Sequence, residues 1–263
     1  MDERTRKWMS ASICDLRDTA DRDYISSRVG YRLTLHQSSA WSASQALEKY
    51  LKAILLFSHQ PVKQFKAHNL TELRTAVEQL PRVGFSLPAD TVEFLEYLDE
   101  QGPNRYSDVP IYAEGFELFK LDRAVWHTRR YCQDFLLMPG DDQRHPGETA
   151  AQLAAIPKER PSSTVEAFSL SRGYLEQVVA KREHELRAHL VWKNRYYGLR
   201  RKGTIRYRVR WSIRQPVHVM RPEIVLAELE KLVFFPKPIL AELKKLRQER
   251  LKKGRSNSAF GSG

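Results

Sequence analysis

The first half of the chain carries apolar residues at spacings of three and four, the period of an amphipathic helix. Within residues 41–57, for example, Leu47 and Leu51 fall on one side, while Glu48 and Lys52 fall off it. No stretch in this half alternates convincingly with period two. The pattern predicts helices over residues 8–28, 31–57, 69–80, 89–100 and 111–138, the last with an interruption near Gly115. Helices joined by short polar turns favour an up-and-down bundle over residues 1–138.

The second half follows a stretch rich in proline, glycine and charge, residues 139–164, which is predicted to be a linker. Beyond it, residues 165–255 are predicted to form a smaller basic α+β module, and residues 256–263 a disordered tail. The predicted elements of the module are a helix over 165–192, a β-hairpin and two helices over 223–233 and 238–253. The hairpin is predicted to have its first strand around residues 196–198, its turn at 201–203 and its second strand at 204–214. The fold class is therefore mostly α.

Charge divides the chain unevenly. Residues 1–150 hold 19 Lys/Arg and 22 Asp/Glu, a net charge of −3, whereas residues 151–263 hold 25 and 10, a net charge of +15. A half-chain this basic indicates a polyanionic partner, which is nucleic acid, an anionic membrane surface or an acidic protein, or else a solubilising surface on a small domain.

The predicted strand at 204–214 places apolar residues on one face and arginines on the other, because its side chains alternate with period two. Arginine forks match phosphate oxygens, so this ribbon is a candidate contact for a nucleic-acid backbone. The candidate residues are Arg200, Arg201, Lys202, Arg206, Arg208, Arg210 and Arg214. Alternatively, the strand is neutralised by salt bridges to the acidic helices of the first half.

Several classes of protein are disfavoured by composition. No apolar run is long enough to cross a bilayer, and the charged amino terminus lacks the apolar stretch of a secretory signal, so no membrane association is expected. The only two cysteines, Cys14 and Cys132, fit a reducing cytoplasm. We find no spacing typical of metal ligands and no cofactor motif.

Three segments resemble a known family. The stretch Ala43–Leu55, reading ASQALEKYLKAIL, is similar to the helix signature of the HEPN family. Lys66–Leu73 matches a following His-x-Leu-x-x-Leu helix start, and Asn104–Asp108 matches an Arg-Tyr loop before the final helix. The resemblance covers about residues 4–137, and the carboxy-terminal half resembles no family that we recognise.

The resemblance implies a bundle of four or five helices that often forms homodimers. Many HEPN proteins are metal-independent ribonucleases of toxin–antitoxin, CRISPR or anti-phage systems, with an Arg followed by a His after four to six residues. Others lack that motif and bind nucleotides or act beside nucleotidyltransferases. A nucleotidyltransferase-type antitoxin is therefore a possible partner for this chain.

The nuclease motif is altered in this chain. Arg105 has no histidine in the required window, where Tyr112 and Ala113 stand instead. Arg123 and His127 are the nearest pair, with three residues between them, which places both on one helix face. They could act as a catalytic pair, or they could be an ordinary surface pair beside buried residues.

The HEPN signature helix offers a second candidate site. Lys49 and Lys52 could contact the phosphates of a nucleotide, with Glu48 orienting them, or all three could belong to a solvated face. The sequence favours an RNA- or nucleotide-binding module whose binding is aided by the basic second half of the chain. The alternatives are a metal-independent HEPN ribonuclease, with Arg123, His127 or Arg105 as catalytic residues, and a structural subunit that docks on an acidic protein.

Overall fold

A computed structural model describes two compact units in this chain, one formed by Met1–Gly102 with Phe116–Arg208 and one by Pro103–Gly115 with Val209–Gly263. The residues that it describes are 3–65, 69–80, 83–101, 112–113, 118–133, 170, 173–198 and 211–212.

The first unit is helical. Its helices are α1 (Glu3–Arg32), α2 (His36–Phe57), α3 (Leu70–Glu78), α4 (Ala89–Gln101), α5 (Leu118–Arg129), α6 (Tyr174–Ala180) and α7 (Arg187–Val191). The mostly helical fold predicted from the apolar periodicity is thereby confirmed. No helix in the described ranges combines the length and the apolar character needed to cross a membrane.

Helix α2 lies at the centre of this unit and packs against α1, α3, α4 and α5. The apolar stripe predicted for this helix is confirmed, since its members are buried: Leu47, Tyr50, Leu51, Ile54 and Leu55. Helix α1 in turn contacts α2, α5, α6 and α7. The bundle is therefore built around the helix that carries the ASQALEKYLKAIL segment.

Two helix boundaries follow from local chemistry. The predicted cap of α3 is confirmed, because the Asn69 side chain accepts a hydrogen bond of 2.8 Å from the amide of Glu72. Between α1 and α2, Thr34 adopts a left-handed conformation with φ of 61°, which ends α1 and reverses the chain.

The final predicted helix of the bundle is shorter than expected. The pattern suggested 111–138 with an interruption near Gly115, whereas α5 covers Leu118–Arg129 and the chain turns at Arg130 and Tyr131. Tyr112–Ala113 is a short strand, β1, in the second unit.

Residues 173–198 belong to the helical unit, although the sequence suggested a separate module from residue 165. Within the described residues 173–192, the predicted single helix is two short helices, α6 and α7, separated by a charged and mostly exposed turn at 181–185. Arg187 bridges the break by donating from Nε to the Val179 carbonyl oxygen at 2.9 Å. The break allows Leu175 and Val178 of α6 and Leu190 of α7 all to be buried.

The predicted hairpin is not supported. Residues 195–198, where its first strand was expected, form bends in the helical unit. Trp211–Ser212, the described part of the predicted strand, forms β2 and pairs antiparallel with Tyr112–Ala113. The predicted turn at 201–203 lies outside the described residues.

Candidate nucleic-acid interface

Three basic side chains line one side of α5 and the turn that follows it. Arg123, His127 and Arg130 are spaced by four and three residues, so they project in similar directions. We call these three residues the α5 basic face, of which Arg123 and His127 are half-buried and Arg130 is buried. The sequence-predicted pair of Arg123 and His127 is thus joined by Arg130.

The imidazole of His127 is held in one hydrogen-bonding state. Arg130 Nη2 lies 3.2 Å from His127 Nδ1. Because a guanidinium can only donate, Nδ1 must accept, and the proton of the neutral ring then sits on Nε2. His127 therefore presents an N–H donor from the α5 basic face.

The electrostatic surroundings of His127 are positive. Burial, followed by the charges of Arg130 and Arg123, lowers the pKa of His127 to about 4, against the smaller opposing effect of Asp90. The ring is consequently neutral at physiological pH. A phosphate would be attracted by the positive charges of Arg123 and Arg130, so the site is suited to an anion.

Arg123 is held by an exchangeable ion pair. Its Nη1 contacts Oδ2 of Asp90, at the first turn of α4. The side chains of Arg123 and Asp90 are 30% and 46% exposed, respectively. Exposed pairs of this kind contribute at most about 1 kcal/mol, so a phosphate can compete for the guanidinium.

Aromatic rings border the α5 basic face. Tyr196 packs beside Trp126 and Phe119 of α5, with ring centroids 5.6 and 6.2 Å away. The guanidinium carbon of Arg195 lies 5.7 Å from the centroid of the Phe119 ring. Basic and aromatic side chains therefore share this surface.

The second sequence-predicted site, on α2, is internally neutralised. Lys49 donates to Asp23 of α1 at 2.6 Å and to Gln45 at 3.3 Å. Lys52 pairs with Glu48, whose carboxylate is buried. The predicted orienting role of Glu48 is consistent with this geometry, but each lysine already has a carboxylate partner.

Other sequence-predicted site residues lie outside the described part of the chain. Arg105 is one of them, and the remainder are the basic residues proposed for backbone contact: Arg200, Arg201, Lys202, Arg206, Arg208, Arg210 and Arg214.

Sequence reasoning missed a buried ion network that connects α1, α5 and α6. The Arg129 guanidinium contacts both oxygens of Asp21 at 2.6 and 2.8 Å, and both oxygens of Glu176 at 2.8 and 2.7 Å. Tyr50 donates to Asp21 at 2.6 Å. Burial alone would lower the pKa of Arg129, but the Asp21 and Glu176 carboxylates raise it well above its ordinary value.

A second buried pair joins α1 to α5 and to the segment after α7. Arg28 contacts Asp122 and also donates to the carbonyl oxygens of His189 and Trp192. Tyr24 donates to Asp122 at 2.6 Å. These contacts attach residues 189–192 to the bundle through main-chain oxygens, which makes this attachment independent of the side chains at those two positions.

A signal for both networks exists in the sequence. Asp21 and Arg28 lie three residues before and four residues after the buried Tyr24, in phase with the apolar stripe of α1. Asp122 and Arg129 are likewise in phase with Leu118 and Val125 on α5. Charged residues at core-facing positions predict paired, buried ions.

The fold and this surface define a helical bundle with a basic face on its last core helix. Comparison with protein families gives the class a name: residues 13–132 match the HEPN domain, and this chain therefore contains a HEPN domain. The match includes α1 from Ile13, all of α2 to α5 and the turn to Cys132, and no family covers the carboxy-terminal half. No curated protein and no solved structure gives a significant match to the chain.

Proposed function

We propose that this HEPN domain is an RNA- or nucleotide-binding module that contacts phosphate through the α5 basic face. The observation that carries the proposal is a neutral imidazole that is held by the Arg130 guanidinium and offers an Nε2–H donor on the same helix face as Arg123. Charged donors and a neutral N–H together match the oxygens of a phosphate group. HEPN domains are also associated with nucleotide and RNA binding, which agrees with this chemistry.

The α5 basic face is a better candidate than the α2 site. Lys49 and Lys52 are each paired with a carboxylate, from Asp23 and Glu48 respectively. A phosphate at that site would have to displace both pairs and approach two anions, whereas at the α5 basic face it meets one such pair, Arg123 with Asp90. We therefore expect Glu48, Lys49 and Lys52 to contribute less to binding than Arg123.

The ribonuclease alternative is disfavoured by the state of His127. Its Nδ1 already accepts from Arg130, and Nε2 carries the proton, so the ring has no free lone pair with which to remove a proton. A pKa near 4 also makes it a weak base at pH 7. His127 is better suited to donating a hydrogen bond to phosphate than to catalysis.

The proposal also includes the basic carboxy-terminal half and the partners expected for a HEPN protein. The residues at 200–202 and the arginines at 206, 208, 210 and 214 would add contacts to the RNA backbone, because the carboxy-terminal half carries the chain's net positive charge. Homodimerisation and a nucleotidyltransferase-type partner are expectations that come from the family.

Arg123→Ala is expected to weaken binding of a fluorescein-labelled 20-nucleotide RNA roughly tenfold, because a charge-assisted phosphate contact is lost. Fluorescence anisotropy across a salt series measures this. The slope of log affinity against log salt is expected to fall by about one unit in the variant. The RNA recovered after incubation in EDTA is expected to be intact.

Arg74→Ala is the matched control, since Arg74 also lies on a helix of this unit and pairs with a carboxylate, Glu78. It removes the same charge at a different place and is expected to change affinity less than about twofold. Equal losses of RNA affinity in both variants would show that the effect comes from net charge and not from the position of Arg123. No salt-dependent binding by the wild-type chain would refute the proposed function, and cleavage in EDTA that His127→Ala abolishes would favour the ribonuclease instead.

A further inference from the structure

An aromatic row crosses α5 next to its basic face. Phe119 and Trp126 are seven residues apart on the helix, and the Tyr196 ring lies close to both. The Tyr196 ring is tilted by 30° and 31° to its two neighbours. Rings at these separations pack against one another in a tilted arrangement. Trp126 is the buried member, while Phe119 and Tyr196 are both half-buried.

Tyr196 is held in place by its own loop. The side-chain oxygen of Asn194 accepts a hydrogen bond of 2.9 Å from the backbone amide of Tyr196. Asn194 Nδ2 donates a hydrogen bond of 2.8 Å to the Tyr24 hydroxyl. A Cβ at Gly198 would lie 2.6 Å from the Val191 carbonyl oxygen, so glycine is required for the loop to close on α7. The ring is thus pre-organised on the bundle rather than carried on a free loop.

Positive groups lie on both sides of this row. Arg195 is exposed and reaches over the Phe119 ring, and Arg123 belongs to the α5 basic face. Burial raises the pKa of the Tyr196 hydroxyl to about 12, and the charge of Arg123 is the largest influence that opposes it. Tyr196 is therefore a neutral phenol beside arginines.

We propose that Phe119 and Tyr196 form a stacking subsite for a nucleobase of single-stranded RNA whose phosphates lie on the α5 basic face. This inference rests on the proposed function and narrows its ligand to an unpaired strand, because bases within a duplex do not expose their faces. Tyr196 and Arg195 lie outside the residues matched by the HEPN domain. The segment after α7 thus adds base contacts to a domain that otherwise offers phosphate contacts.

An aromatic row beside guanidiniums fits RNA better than it fits other polyanions. Stacking uses the π-face that every base has, and Arg195 can stack on a base or bind its phosphate. An acidic peptide or inorganic polyphosphate would use only the cations. A contribution of the bases to the binding affinity therefore distinguishes single-stranded RNA from an acidic peptide or polyphosphate.

The test compares a labelled 12-nucleotide single-stranded RNA with a strand of the same length in which the central four nucleotides are abasic. The wild-type chain is expected to bind the intact strand roughly tenfold more tightly, given the usual contribution of base stacking. Tyr196→Leu keeps apolar volume but removes the ring, and it is expected to reduce this preference to about twofold. Tyr196→Phe keeps the aromatic ring and is expected to retain the tenfold preference for the intact strand.

Tyr174→Leu is the control variant. Tyr174 is also half-buried, and its ring centroid lies 4.4 Å from the guanidinium carbon of Arg22, but Tyr174 belongs to α6. It is expected to keep the tenfold preference. If Tyr196→Leu melts at a lower temperature than wild type, Phe119→Leu serves as an independent variant and is expected to show the same loss.

The two proposals fail differently in this assay. Equal binding of intact and abasic strands by the wild-type chain would overturn the stacking subsite and leave phosphate binding standing. Binding of neither strand would remove the proposed function itself. A preference for intact RNA that survives both Tyr196→Leu and Phe119→Leu would place base recognition elsewhere and would also refute the subsite.

Discussion

Ending the chain at residue 138 is expected to leave the HEPN helices unable to fold stably. The truncated chain lacks Leu175, Val178, Leu190 and Tyr197, which are all buried in the helical unit. Each such side chain contributes about 1.5–3 kcal/mol, and a typical domain has a net stability of only about 5–15 kcal/mol. The loss of these side chains is therefore comparable with the whole stability of the unit.

Truncation also exposes charges that the longer chain keeps buried and paired. Arg28 would lose the carbonyl oxygens of His189 and Trp192, and Arg129 would lose Glu176. The measurement is thermal unfolding followed by circular dichroism at 222 nm, in which the 1–138 chain is expected to lack a cooperative transition. The control is a chain that ends at residue 198, which keeps α6, α7 and the following loop and is expected to unfold cooperatively. A 1–138 chain as stable as the 1–198 chain would show that the segment is dispensable.

Arg129→Ala is expected to lower the free energy of unfolding by about 3–5 kcal/mol. Arg129 is 1% exposed and pairs with Asp21, which is 0% exposed, so the variant leaves a carboxylate buried without its counter-charge. Glu176 is 22% exposed and can turn towards water, which makes Asp21 the main source of the penalty. Urea denaturation followed by fluorescence measures the change.

A double variant distinguishes the loss of the Arg129–Asp21 ion pair from the cost of leaving the Asp21 carboxylate buried without a counter-charge. Asp21→Ala combined with Arg129→Met removes both buried charges and is expected to be more stable than Arg129→Ala alone, because the two effects are not additive. The surface control is again Arg74→Ala, whose i, i+4 pair contributes only about 0.3–0.5 kcal/mol. A loss below about 1 kcal/mol for Arg129→Ala would contradict the structural role given to this network.

The parts of the fold that were predictable from sequence are those set by local periodicity. The apolar stripe of α2 and the Asn69 cap of α3 each depend on residues within one or two helical turns. The resemblance of Ala43–Leu55 to the HEPN signature has the same local character, and the family match confirms it.

Features that depend on distant pairings were not predictable in the same way. Glu176 meets Arg129 across 47 positions, and Asn194 meets Tyr24 across 170. Nothing near residue 176 indicates that its carboxylate will be drawn into the bundle. The predicted hairpin is not supported for the same reason, because in the described residues Trp211 pairs with Ala113, which is distant in the sequence.

The candidate site was predicted in part. The spacing of Arg123 and His127 located one face of α5, but sequence could not show that Arg130 would fix the tautomer of His127 or that burial would lower its pKa. Tyr196 was noted only as part of a predicted strand. Its position beside α5 follows from the docking of α6 and α7, which no local pattern encodes.

Site-resolved crosslinking tests the proposed interface most directly. Single-stranded RNA carrying 4-thiouridine is irradiated with the full chain, and the crosslinked peptides are identified by mass spectrometry. We expect crosslinks within residues 118–133 and 192–198, which carry the α5 basic face and Tyr196. RNA that binds but crosslinks to neither segment, and instead labels only α2 around Lys49 and Lys52, would contradict the assignment of this interface.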